Sequence, residues 1–167
     1  KANTVTNSLI IEEDLEFFIS ETDLNKKAYD TLLKKYKGDK ALLLKELIEL
    51  IQERIGSSRN MALFINANKS ITLQGVKLHL FYPSDSVIHG NKLFEQNIFS
   101  VVQELPYKFK FQGEQIFSFR PDIVLFVNGI YLGYSELKSN YTSQNASKNG
   151  RGKVIKDYFE AVKAYHQ

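Results

Sequence analysis

Cysteine is absent from the 167 residues, so the chain can hold no disulfide framework, no thiolate zinc site and no thiol nucleophile. That fits a reducing cytoplasm. Long apolar runs are missing as well, and none approaches the roughly 20 residues that span a bilayer. The opening Lys1-Ala2-Asn3-Thr4 carries neither a signal-peptide core nor an initiator Met, which points to processing or trimming. Internal repeats and low-complexity tracts are also lacking. The excess of one charge is small, a net +3. Polyanion binding must therefore be argued from where charges cluster and not from their sum. What remains is 43% hydrophobic and 25% charged, the balance of a soluble globular protein long enough to bury a core.

The first third reads as helix. Leu9 to Ile19 sets Glu12, Glu13, Asp14 and Glu16 beside Leu15, Phe17 and Phe18. A second helix is expected over Asn25 to Tyr36, stopped by Gly38. A third runs from about Asp39 to Arg54, with Leu43, Leu47, Leu50 and Ile51 at helical spacing. From about residue 60 the pattern changes to strand. Gly75 to Tyr82 alternates polar and apolar, and Ile98 to Leu105, Tyr107 to Phe111 and Phe117 to Phe119 are strand-like. Residues 84 to 96 read as loop or short helix. Two apolar runs, Pro121 to Val127 and Ile130 to Lys138, flank Asn128-Gly129, a strong hairpin signal. Their near-continuous apolar character predicts central strands covered on both faces. A polar loop over 139 to 150 and a helix from about Lys153 close the chain. That helix is expected to pack on the sheet through Val154, Tyr158, Val162 and Tyr165.

Three charged groups stand in residues 121 to 138: Asp122, Glu136 and Lys138. Charges at the ends of buried strands need a partner or an ion. Hard carboxylate oxygens suit magnesium, which serves phosphodiester hydrolysis, and a cation near the attacked phosphate helps. Strand alternation puts Glu136 and Lys138 on one face. Leu137 is expected to point into the core, leaving its backbone carbonyl as a further metal ligand. The plain alternative is a surface ion pair worth little.

Pro121-Asp122, thirteen residues, then Glu136-Leu137-Lys138 resembles the PD-(D/E)xK nuclease superfamily. More narrowly, Arg120 to Ile130 with Glu136 to Lys138 looks like the nuclease segment of the restriction (motor) subunit of type I restriction–modification enzymes. Asn97 to Gln103 and, more loosely, Gly75 to Tyr82 and Glu12 to Leu15 extend the resemblance. It implies an α/β (α+β) fold: a restriction-endonuclease-like mixed central sheet with flanking helices, one compact domain with a helical region over 1–58 and a nuclease core over 59–167. It further implies Mg²⁺-dependent cutting of double-stranded DNA, with Mn²⁺ as a substitute ion, beside methylation and specificity subunits. ATP would act only through a motor absent here, since Gly150-Arg151-Gly152-Lys153 lacks the spacing of a phosphate-binding loop. Two features depart from the family. Ala161 stands where a Gln-x-x-x-Tyr motif ending at Tyr165 would place its Gln, and no fourth strand follows; both suggest a piece of a longer protein. The rivals are another nuclease of the superfamily and a non-catalytic DNA-binding domain of the same fold.

Other candidates are weaker. Glu46, Glu49 or Glu53 would add a helical metal ligand but read better as solvated surface. Lys148, Arg151, Lys153 and Lys156 form a basic stretch suited to DNA backbone or, equally, a solvated loop. His79, His89 and His166 have no ligand spacing. Phe126, Tyr131 and Tyr134 read as core. Strand parity gives the sharpest expectation. A two-residue Asn128-Gly129 loop with unbroken pairing sets Asp122 opposite Ser135 and turns Glu136 and Lys138 to the other face. The catalytic reading therefore requires an odd shift: a three-residue loop, Val127-Asn128-Gly129, or a bulge elsewhere in the hairpin.

Overall fold

The computed structural model describes residues 9–55, 70–84, 92–111 and 114–137. Three helices come first: α1 Glu12–Glu21, α2 Lys26–Lys35 and α3 Lys40–Ile55. Seven strands follow: β1 Ser70–Leu73, β2 Val76–His79, β3 Phe99–Gln103, β4 Tyr107–Phe111, β5 Glu114–Phe119, β6 Ile123–Val127 and β7 Ile130–Ser135, with one 3₁₀ turn at Phe94–Gln96 before β3. The class is α+β, with the helical region ahead of the strands, as the sequence led one to expect. The chain groups into two compact units. One holds the described residues up to Ser100 together with Phe126–Leu132, and the other holds the described residues of Val101–Leu125 and those from Gly133 to Leu137.

Local chemistry explains the helices of the first unit. The first turn of α1 is acidic (Glu12, Glu13, Asp14), matching the positive end of the helix dipole. α2 carries Lys34 and Lys35 in its last turn, at the negative end. It ends where Lys37 and Gly38 take positive φ, and the Gly38 N–H returns to the Leu33 carbonyl at 2.8 Å. Asp39 then caps α3, accepting the Leu42 N–H at 3.0 Å. One stripe of each helix is buried: Leu15, Phe18 and Ile19; Tyr29 and Leu32; Leu43, Leu47 and Ile51. They pack with Ile71, Leu73, Leu78, Leu80, Tyr82 and Ile130 in one core. Each of the fully buried aliphatic side chains contributes about 1.5–3 kcal/mol through apolar area removed from water.

β1 and β2 form a hairpin with Leu73 opposite Val76, closed by Gln74 and Gly75, both at positive φ. Polar side chains fasten it to the helices. The Asn25 amide donates to the His79 carbonyl and its oxygen accepts the His79 N–H, both at 2.8 Å. The hydroxyls of Thr22 and Tyr82 meet at 2.7 Å. β4 pairs with β5 antiparallel, with a bulge between Phe109 and Lys110. The remaining sheet has the order β3-β6-β7.

β6 departs from the expectation of burial on both faces. Val124 and Phe126 are buried, but Leu125 is 38% exposed; on β7, Leu132 and Tyr134 are each 39% exposed. A continuous apolar run records composition, not coverage, and the strand alternation still divides β6 into a buried and an open face. The carboxy-terminal helix expected over Val154, Tyr158, Val162 and Tyr165 lies outside the described residues.

Candidate active site

The hairpin β6–β7 turns on two residues. Asn128 and Gly129 have φ of 50° and 78°, the paired positive values of a type I′ turn. The three-residue loop is thereby overturned, because it needs Asn128 in the right-handed region. Only glycine suits the second position. A Cβ there would lie 2.3 Å from the Ile11 carbonyl oxygen and 2.7 Å from the Leu15 nitrogen. The close approach is used: the Ile11 N–H donates to the Gly129 carbonyl at 2.8 Å, on the residue that leads into α1.

Asn128 is fully buried, and its whole amide is engaged. The nitrogen donates to the Leu80 carbonyl and to Asn97 Oδ1, both at 2.9 Å, while the oxygen accepts the Ile98 N–H at 2.7 Å. Asn97 in turn brackets Tyr82, accepting its N–H and donating to its carbonyl. A buried amide this well satisfied fixes the turn in one place. Sequence reasoning marked Asn128 only as a turn former and missed this role. The hint was weak: aspartate or glycine would signal the same turn, but neither could make these bonds.

At the other end of the hairpin the ladder breaks. The Asn128 N–H donates to the Ile98 carbonyl at 2.8 Å and the Glu104 N–H to the Asp122 carbonyl at 3.0 Å. These two bonds set β3 antiparallel to β6 and turn the backbone groups of the even residues of β6 toward β3. The odd residues then face β7, and the type I′ turn pairs Val127 with Ile130; the ring contact of Phe126 with Tyr131 (6.2 Å between centroids) agrees. Continued regularly, this register points the Leu137 N–H away from β6. Instead it donates to Asp122 Oδ2 at 2.6 Å. β7 has already ended, at Ser135. The acceptor is a side-chain oxygen and not a ladder carbonyl, so the bond brings the segment after β7 to Asp122 without extending the pairing. Through that bond the Glu136 Cα lies within roughly 5 Å of Asp122 Oδ2, given standard backbone geometry.

The ladder's end at Ser135 therefore lifts the regular register from Glu136 and Leu137, while the loop itself supplies no odd shift. It also corrects the expectation for Leu137, which is 63% exposed and does not enter the core. Once the ladder stops, nothing presses its side chain against the sheet. Asp122 and Glu136 are both half-buried. One N–H does not exhaust a carboxylate, which has two oxygens and about four acceptor positions. Burial, and then the negative charge of Glu136, hold the Tyr134 hydroxyl above the usual phenol range. Tyr134, expected in the core, thus stands partly exposed within the electrostatic reach of Glu136.

Before the start of β6, Arg120 Nη2 lies 3.6 Å from Glu104 Oε1, both side chains well exposed. Lys138, Lys148, Arg151, Lys153 and Lys156 lie outside the described residues, as do His89 and His166. His79 sits against Tyr82, its ring 5.9 Å away, and its imidazole pKa is lowered by burial and by Lys77. Among the described residues no group of three or more His, Cys, Asp and Glu could hold a metal ion. The upstream glutamates therefore complete no such cluster, and Glu46 is taken up by the Tyr36 hydroxyl. Asp122 and Glu136 are the two carboxylates at the base of this hairpin.

A model of the type I restriction enzyme R protein N terminus matches residues 10–166 of the chain. Neither a curated protein nor a solved structure matches it. Among the described residues, no helix is long and apolar enough to cross a membrane.

Proposed function

Because the chain belongs to the family of type I restriction enzyme R protein amino-terminal domains, we propose that it is the nuclease of such an enzyme. It hydrolyses phosphodiester bonds of double-stranded DNA with Mg²⁺, for which Mn²⁺ can substitute. The observation that carries the reading is the bond from the Leu137 N–H to Asp122 Oδ2. It draws Asp122 to the Glu136-Leu137 segment and orients the carboxylate before any ligand arrives.

The donor set suits a hard divalent cation. Asp122 and Glu136 supply carboxylate oxygens, and the Leu137 carbonyl a third, neutral one. The bound ion would neutralise charge on the scissile phosphate and acidify a coordinated water. Asp122 and Glu136 would hold that ion and would not themselves attack. Lys138, next along the chain, brings its ammonium to the phosphate or the attacking water, where it offsets the charge that grows as the new P–O bond forms and the old one breaks. One product end keeps the phosphate and the other leaves as a hydroxyl. In the assembled cytoplasmic enzyme, methylation and specificity subunits would choose the DNA, and an ATP-driven motor outside this chain would deliver it.

Asp122→Ala and Glu136→Ala should each abolish cleavage by the intact enzyme while leaving its melting temperature within a few degrees. Loss of a metal-based contribution of several kcal/mol corresponds to on the order of a thousandfold in rate. Lys138→Ala should keep metal binding and lose most of the rate. Wild-type cleavage in any of the three would refute the assignment, and DNA binding without cleavage in the unmutated protein would favour a non-catalytic domain.

A further inference from the structure

We infer that Arg120 contacts the DNA backbone beside the Asp122–Glu136 site, and that Glu104 holds its guanidinium until a phosphate replaces it. The inference rests on the nuclease reading and adds to it a cation two residues ahead of a metal ligand. Three local facts place that cation. Glu104 is tied to Asp122 through the backbone, its N–H on the Asp122 carbonyl at 3.0 Å. Arg120 precedes Pro121, whose ring biases it toward extended backbone and so limits the directions its side chain can take. Arg120 Nη2 then reaches Glu104 Oε1 at 3.6 Å, with the side chains 63% and 65% exposed. Residues 104, 120 and 122 are thus one corner of the second unit.

The electrostatics of that corner call for a partner. Glu104 and Asp122 bring two carboxylates to it, beside the guanidinium of Arg120. A polyanion approaching such an edge is repelled unless cations are spent on it and not on the protein's own acids. An exposed ion pair is worth only about 0–1 kcal/mol, so Glu104 holds Arg120 loosely. A phosphodiester offers the guanidinium two non-bridging oxygens, which take bidentate bonds as the two oxygens of a carboxylate do. Exchanging one for the other leaves Glu104 to water, because its side chain is already exposed. No bond is made or broken in the exchange.

The test is the salt dependence of duplex binding by the intact R protein, with Ca²⁺ in place of Mg²⁺ so that binding is read without cutting. Arg120→Gln should reduce the slope of log affinity against log salt by about 0.9, the value for one phosphate contact. It should weaken binding several-fold at low salt and leave Mn²⁺ binding by calorimetry unchanged. Arg120→Lys should keep the slope. Glu104→Gln should tighten binding with Arg120 present and lose most of that gain in the Arg120→Gln background. A wild-type slope in Arg120→Gln would overturn the inference, as would equal tightening by Glu104→Gln in both backgrounds. Failure of the nuclease reading looks different: Glu136→Gln would cut at the wild-type rate whatever the slope, and the inference would fall with it.

Discussion

The two ends of the β6–β7 hairpin are built on opposite principles. At the tip, Asn128 is fully buried with both side-chain polar atoms bonded, and Gly129 sits against the backbone of Ile11 and Leu15. At the base, regular pairing is abandoned after Ser135, Leu137 faces solvent, and a carboxylate replaces a carbonyl as the acceptor of a backbone N–H. One end trades freedom for a fixed position. The other gives up ladder bonds to present charge. Substitutions at the tip should therefore cost stability and spare chemistry, whereas substitutions at the base should do the reverse.

The largest expected effect is at the base, the roughly thousandfold rate loss for Asp122→Ala or Glu136→Ala, with melting little changed. At the tip, Asn128→Ala leaves the Ile98 N–H, the Leu80 carbonyl and Asn97 Oδ1 without their partner. Unsatisfied buried groups cost about 1–3 kcal/mol each, and a loss of about 2–4 kcal/mol in a urea titration is expected. Gly129→Ala should lose at least as much, since positive φ and a 2.3 Å backbone approach both oppose it. If either tip variant melted normally but lost metal binding, the division between the two ends would be wrong.

How far the sequence reached shows the same asymmetry. The helices were legible because apolar spacing, Asp39 and Gly38 all mark them independently. Asn128-Gly129 announced a turn, and the requirement for an odd shift near Asp122 followed from parity alone. What could not be read was where the ladder ends, since Ser135 to Leu137 carries no glycine or proline to mark it. Leu137 was assigned to the core on strand alternation, which holds only while the ladder lasts. The coverage of β6 was overestimated because Val124 and Leu125 are alike in composition and differ only in face. Asn97 and Asn25, each of which brackets a backbone segment from a distance of many residues, left no local mark at all.

Smaller effects sharpen the picture of the first unit. Asp39→Ala removes the cap of α3 and should cost about 1 kcal/mol in thermal or urea melts. His79 gives a weak pH dependence of known sign. Burial and Lys77 lower its pKa below the ordinary value of 6.5, so between the lowered value and 6.5 the unfolded chain binds more protons. Stability is therefore full above about 6.5 and declines as pH falls through the folded-state pKa. His79→Gln should flatten that part of a stability–pH curve; an unchanged slope would place the titration elsewhere.

The claim at the centre of this account is that the base of the hairpin holds a divalent ion through Asp122 and Glu136. Calorimetric titration of the intact R protein with Mn²⁺, without nucleotide, tests it directly. The expected result is a binding site in the wild-type protein that Asp122→Ala and Glu136→Ala each remove, and that Asn128→Ala retains below its melting temperature. Binding of wild-type strength in both carboxylate variants would contradict it.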